Sequence, residues 1–375
     1  MAAKHRIRSR RGRLLIRWTR DGLIRRIRAG HGLAGQRIHL AMAFTGSIMA
    51  SGGEQPGIGV GTWAWGNQFL WGYNPERDDD TLAATFRRCL DQRLHFFDTA
   101  DSYGTGRLNG RSETLLGRFA LAASAAERDQ LCIATKLAPF PWRLGRQGYA
   151  RAFAASQQRL QGQMKRVQLH WSTARYAPWQ EGPLLDGLAD LVRSGATQSL
   201  GVSNMGPKRL RALHRRLSDQ GVSLSSLQVQ LSLLAPQPLE AGGVAEVCRE
   251  LKIELIAYSP LALGLLSRSS SPANDRPLTG ARRSLFQRLE PQIQALRNRM
   301  HEIGGSRPGG LAAVALNWCR AHGAMPIPGL RSCAQVDSAA AALSWQLSRD
   351  ECQALDQLAL ASGAARMPAN PFQSA

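Results

Sequence analysis

Three short apolar runs in this chain each end on a side chain that can carry charge or pass a proton. Leu94–Phe97 runs into Asp98, and Tyr103 follows on a turn that Gly104 permits. Cys132-Ile133-Ala134-Thr135 runs into Lys136, and Val167-Gln168-Leu169 into His170. An acid just past a buried strand is costly unless a base pairs with it, so Asp98 requires a partner. Consecutive strands that deliver ionisable groups at their C-terminal ends form the pattern of an active site on a parallel α/β barrel.

The rest of the chain must supply that frame. Strands are expected at Ile58–Trp63, around Phe96, and at Cys132–Lys136, Val167–His170, Ser199–Val202, Leu227–Gln230, Glu254–Tyr258 and Met325–Ile327. Helices are expected at Thr81–Arg93, Ser112–Ala122 with Ser112 as its cap, Ala150–Gln161, Leu184–Ser194, Pro207–Gln220, Val244–Leu251, Leu311–His322 and Gln335–Ala342. Ser348–Ala361 adds a terminal helix. This alternation reads as an α/β chain folded as a single-domain (β/α)8 TIM barrel. One connection breaks the rhythm. Leu261 to Gly310 holds a Ser-rich loop, Ser267–Asn274, and an extra helix, Ser284–Glu302. A loop of that length in a compact domain is a lid or a tolerated insert.

The stretches Phe97–Gly104, Ala134–Lys136, Gln168–Trp171, Gly201–Asn204 and Tyr258–Leu261, in this order, resemble the aldo-keto reductase superfamily from about Gly57 to about Ala361. The resemblance implies a catalytic tetrad of Asp98, Tyr103, Lys136 and His170. In that reading a nicotinamide delivers hydride to a carbonyl carbon and Tyr103 donates the proton to its oxygen. A phenol is a poor acid at neutral pH. Lys136 is expected to lower its pKa, with Asp98 holding the lysine charged, while His170 orients the carbonyl.

The resemblance also implies a cofactor site for NADPH. Gly61, Thr62 and Trp63 would approach the nicotinamide side, Ser203, Asn204 and Gln228 would bind the carboxamide, and Tyr258 would stack on the ring. Ser259, Leu261 and Gly264 would contact the pyrophosphate, and the insert would fold over the cofactor. Pro326 to Ser332, with Gly329, would run along the adenosine phosphate, where Arg331 would pair with a 2′-phosphate. Gln335 and Asp337 would lie near the adenosine, and Ala339 replaces the family's usual Asn. Trp171-Ser172 stands where Trp-Pro is frequent. The expected function is NADPH-dependent reduction of an aldehyde or ketone. The alternative is a catalytically weak, cofactor-sensing regulatory subunit of the same fold. Trp63, Trp65, Phe69, Trp71, Trp142, Trp171 and Trp179 lie in the strand-end loops and read either as an apolar or aromatic substrate pocket or as residues that close the barrel rim.

Composition narrows the alternatives. The net charge is +21 over 375 residues. Residues 1–47 hold twelve Lys and Arg against the single acid Asp21. This predicts three segments: a basic N-terminal extension over 1–50, the barrel over 51–365, and a tail over 366–375. The extension reads as a disordered tail, or as residues preceding a true start at Met42 or Met49. A nucleic-acid or membrane-surface arm, an organelle-targeting peptide and a secretory signal are the less favoured readings. Six scattered cysteines without a C-x-x-C pair argue against a metal site and fit a reducing, cytoplasmic setting. No apolar run is long enough to span a bilayer. The run Gly57-Ile58-Gly59-Val60-Gly61-Thr62 lacks the third glycine at the spacing of a Rossmann fingerprint. The expected partner is a small carbonyl substrate.

Overall fold

The computed structural model describes residues 55–268, 280–361, Met367 and Ser374. The expected extension over 1–50, most of the Ser267–Asn274 loop and most of the tail lie outside them. The strands are β1 Val60–Gly61, β2 Phe96–Ala100, β3 Cys132–Leu137, β4 Met164–Leu169, β5 Ser199–Ser203, β6 Leu224–Gln230, β7 Glu254–Tyr258 and β8 Ala324–Ile327. They form an eight-stranded sheet in chain order, each strand parallel to the next. The sheet closes on itself. Gly59 N donates to Pro326 O at 3.0 Å and Gly61 N to Pro328 O at 2.9 Å. A Cβ on residue 61 would stand 2.9 Å from the Ile327 carbonyl oxygen, so the join needs glycine. This is the expected (β/α)8 barrel.

The helices are α1 Gln68–Trp71, α2 Pro75–Asp91, α3 Arg111–Leu121, α4 Ala125–Gln130, α5 Ala150–Arg159, α6 Pro178–Arg193, α7 Pro207–Ser218 and α8 Val244–Leu251. They continue as α9 Gly280–Leu289, α10 Gln294–Gly304, α11 Gly310–Ala321, α12 Cys333–Ala341 and α13 Arg349–Ala361. Several details differ from expectation, each for a local reason. Helix α2 starts earlier than Thr81, because the Asn74 side chain caps Glu76 N and Pro75 takes the first helical position. Ser112 does not cap α3. Gly110 occupies that place in a left-handed conformation, and Ser112 turns inward. The expected helix Ser284–Glu302 is two helices, with a 3-10 turn at Glu290–Ile293 around Pro291, a residue with no N–H to give. Helix α4 was not foreseen, although Ser124 and Glu127 form a full capping box.

Strand residues alternate between the helix layer and the barrel interior. Phe97, Ile133, Val167 and Leu227 are wholly buried and join one continuous hydrophobic core. The residues between them on the same strands include Asp98, Lys136, Gln168 and Gln228, also buried. In the register, Lys136 faces Gln168, and Gln168 faces Gly201. A Cβ at Gly201 would lie 3.1 Å from Gln168 Cγ and 2.4 Å from Ser226 Oγ, so this glycine makes room for the glutamine. All six cysteines are free. No helix among the described residues is long and apolar enough to cross a membrane.

Candidate active site

Asp98 and Lys136 leave neighbouring strands and meet inside the barrel. Lys136 Nζ lies 2.5 Å from Asp98 Oδ2 and donates to Thr99 O at 2.9 Å. The other carboxylate oxygen, Oδ1, accepts from Gln228 Nε2 at 2.8 Å and Gln168 Nε2 at 3.1 Å. The buried acid is thus compensated on both oxygens, as burial demands. Its backbone is fixed too: Thr62 N and Thr62 Oγ1 both donate to Asp98 O, at 3.0 and 2.8 Å. Burial pulls the Lys136 pKa below the usual lysine value, against the opposing charge of Asp98.

Tyr103 and His170 stand beside this pair. Lys136 Nζ lies 4.9 Å from the Tyr103 ring centroid, and the Tyr103 and His170 rings meet edge to face at 5.8 Å. His170 Nδ1 is buried with no hydrogen-bond partner. Burial holds the His170 imidazole neutral, far below its usual pKa, and the charges of Lys136 and Arg143 add to this. The expected lowering of the Tyr103 pKa is not found. Burial raises it well above 10, and Asp98 and Asp101 raise it further. The Lys136 ammonium bonds to Asp98 and Thr99 O and lies 4.9 Å from the ring centroid.

A cleft of ≈ 860 Å³ opens over these four residues, and all four line it. Gly61, Trp63, Ser203, Asn204, Gln228, Tyr258, Ser259, Leu261, Gly264, Gly329, Arg331 and Gln335 line it as well. Asn204 is held in the left-handed region at φ 61°. Its Nδ2 donates to His170 O at 3.1 Å and its Oδ1 accepts from Tyr258 OH at 2.9 Å. Ser374 N donates to Asn204 O at 3.0 Å, and Met367 lines the cleft.

Two expected cofactor contacts sit elsewhere. Thr62 is wholly buried behind the cleft, bonded to Asp98 O and, at 2.7 Å, to Ser112 Oγ. Asp337 points to α2, where Arg88 Nε donates to it at 2.6 Å. The aromatic expectation divides likewise. Trp63, Trp71 and Trp171 line the cleft. Trp65 is core, its Nε1 donating to Leu330 O at 2.9 Å. Phe69, Trp142 and Trp179 are exposed outside the cleft lining.

Other site features were missed. Gln168, read above only as part of a strand run, bonds Asp98, and a glutamine alternating with Val167 and Leu169 was the available signal. Asp101 pairs with Arg143 Nη1 at 2.5 Å. Beside the main cleft, a second cavity of ≈ 470 Å³ is lined by Arg77, Arg268, Arg282 and Arg331. Among the described residues, the buried donors Trp71 Nε1 and Arg282 Nε have no hydrogen-bond partner. Both border the cleft.

The sequence profile described as "Aldo/keto reductase family" matches residues 57–360. The chain is 43% identical over 322 residues to the chloroplastic pyridoxal reductase of Arabidopsis thaliana, covering 84% of this chain and 85% of that protein. It is 30% identical over 308 residues to the 6-dehydroglucose reductase of Novosphingobium aromaticivorans, covering 80% and 91%. Among solved structures, the aldo/keto reductase from Klebsiella pneumoniae in complex with NADP and acetate superposes with a TM-score of 0.61 at 24% identity, over 85% of this chain and 95% of that one.

Proposed function

We propose that this chain, which belongs to the aldo/keto reductase family and is therefore an NADP-dependent oxidoreductase, reduces an aldehyde to an alcohol with NADPH, pyridoxal being the first substrate to test. The observation that carries the reading is the Asp98–Lys136 pair at 2.5 Å beneath Tyr103 and His170, all four on one cleft. Bound NADPH supplies the hydride, and the chain supplies the proton and the orientation.

Tyr103 has a raised pKa and so holds its proton at every physiological pH. It is a stored donor for the oxygen that gains charge. Lys136, 4.9 Å from the ring centroid, favours the phenolate as it forms. Asp98 holds Lys136 charged inside the barrel. His170, kept neutral by burial, hydrogen-bonds and orients the carbonyl oxygen. Ser203, Asn204 and Gln228 would hold the carboxamide. Gln228 does so through its carbonyl end, because its Nε2 is committed to Asp98. Trp63, Trp71 and Trp171 give the cleft flat apolar walls suited to an aromatic aldehyde. The Arabidopsis relative's name adds pyridoxal to that class.

The test is turnover of pyridoxal, and of a panel of aldehydes and ketones, with NADPH consumption followed at its absorbance band. Consumption matched by alcohol formation supports the reading. NADPH binding with no turnover of any carbonyl would replace it with the regulatory, cofactor-sensing one.

A further inference from the structure

Resting on the reductase reading above, we propose that Arg143, on the connection between β3 and α5, is a positioning residue for the reduction. It locks the turn that carries Tyr103 to the strand end that carries His170, and so sets the proton donor against the group that orients the carbonyl. Neither Arg143 nor its partner Asp101 lines the cleft, so Arg143 works through its neighbours.

Asp101 follows β2 and stands two residues before Tyr103. Its side chain is 3% exposed, and that of Arg143 15%. A carboxylate buried this far needs both oxygens answered. Oδ1 accepts from Ala138 N at 3.2 Å, and Oδ2 from Arg143 Nη1 at 2.5 Å. The same Nη1 donates to Ala138 O at 2.6 Å. One guanidinium nitrogen therefore holds a carboxylate and a carbonyl together, and Ala138 is gripped at both its N–H and its C=O. Ala138 is where β3 gives way to the loop. The residue before it, Leu137, accepts at its carbonyl from His170 N at 3.2 Å. On the other side, Asp101 N donates to Lys136 O at 3.0 Å and Tyr103 N to Ala100 O at 3.1 Å. The connection thus runs from the Tyr103 turn through Asp101 and the end of β3 to the backbone of His170, and Arg143 closes it.

A second path runs through rings. The Arg143 guanidinium lies 4.9 Å from the Phe140 ring centroid. Phe140 meets Trp171 edge to face at 5.9 Å, and Trp171 lies 4.8 Å from the His170 ring. Tyr176 OH accepts from Trp171 Nε1 at 3.1 Å and donates to Pro139 O at 2.8 Å, which joins the loops after β3 and β4. The charge matters too. After burial, Lys136 and Arg143 oppose protonation of His170. After burial, Asp98 and Asp101 hold the proton on Tyr103, with Lys136 over its ring. Burial and then Arg143 act in opposite senses on Asp101, and Glu113 adds to the burial. Removing Arg143 takes a cation from His170 and uncovers the Asp101 carboxylate, so the imidazole should accept a proton at higher pH.

Stopped-flow hydride transfer from NADPH to an aldehyde, with NADPH affinity titrated separately, tests the lock on the full chain. Arg143→Met should slow transfer about tenfold to a hundredfold, the scale of a small misplacement of reacting groups, and leave NADPH affinity unchanged. Arg143→Lys, which keeps the charge without the planar fork, should recover part of the rate. Arg143→Met combined with Asp101→Asn removes both buried charges and should regain stability but not the rate; it carries the same expectation should Arg143→Met alone not fold. A double variant as fast as wild type would show that Arg143 only balances a charge, and a loss of NADPH affinity equal to the loss of rate would place its effect in binding. Either result overturns the proposal. A wild type that reduces no carbonyl sinks the reductase reading instead. The lock is then judged by NMR of the His170 ring in the chain without cofactor: titration at a higher pH in Arg143→Met supports it, and a titration like wild type's overturns it.

Discussion

Gln228 Nε2 donates to Asp98 Oδ1 at 2.8 Å from a strand 130 residues away in sequence. With Gln168 on the same oxygen and Lys136 on the other, Asp98 is held by three side chains from three different strands. The carboxylate is the point at which the barrel interior is tied together, and Lys136 carries the one charge that balances it.

Replacing Lys136 by Met should therefore cost stability as well as turnover. Removing one partner of a buried ion pair leaves the other charge uncompensated and costs about 3–5 kcal/mol. Urea unfolding of Lys136→Met should show that loss. Adding Asp98→Asn should recover much of the stability and none of the activity. A Lys136→Met variant that unfolds like wild type and turns over aldehydes normally would show that the pair is neither structural nor catalytic.

Tyr103→Phe separates binding from chemistry. The variant loses one hydroxyl at the cleft wall and none of the buried network around Asp98. NADPH affinity should hold and turnover should fall by about 10²–10⁴, the usual contribution of a positioned general acid. Stopped-flow measurement of hydride transfer with an aldehyde in excess reads this directly. An unaltered rate would remove Tyr103 from the reaction.

The strand ends were legible because each apolar run stops abruptly at an ionisable residue, which periodicity registers. The compensation of Asp98 was not, because Gln168 and Gln228 are distant in sequence and meet it only through the sheet register. Thr62 and Asp337 turn their side chains away from the cleft for a related reason. At an element's end, neighbours decide which way a side chain turns. Ser112 draws Thr62 inward, and Arg88 draws Asp337 outward.

His170 makes a pH-dependent contribution whose sign is fixed by its surroundings. Burial, with Lys136 and Arg143, keeps its folded pKa well below the usual value near 6.5. Below about pH 6.5 the unfolded chain takes up a proton that the folded one refuses. Stability is then full above that pH and falls as pH drops through it, by up to about 1.4 kcal/mol per pH unit. His170→Gln should flatten this part of the profile. Denaturant midpoints at several pH values compare the two proteins. Parallel profiles would mean that the imidazole titrates alike in both states.

The cofactor preference is the sharpest test of Arg331. The sequence places it without an acidic neighbour on either side, and the structure shows it engaged with Trp71. Its guanidinium lies 4.9 Å from the Trp71 ring centroid, and Nη1 meets Trp71 O at 3.4 Å. A guanidinium offers several fixed N–H donors to an anion, which a lysine does not match. The 2′-phosphate of NADPH is such an anion, and a hydrogen bond to a charged group contributes about 1.5–3 kcal/mol, or roughly ten- to a hundredfold in affinity. Arg331→Ala should weaken NADPH by that factor and leave NADH nearly unchanged, so that the wild-type preference for NADPH disappears. Titration of both cofactors by quenching of tryptophan fluorescence measures it. Equal wild-type affinities for the two, or a variant that weakens both alike, would show that Arg331 does not read the 2′-phosphate.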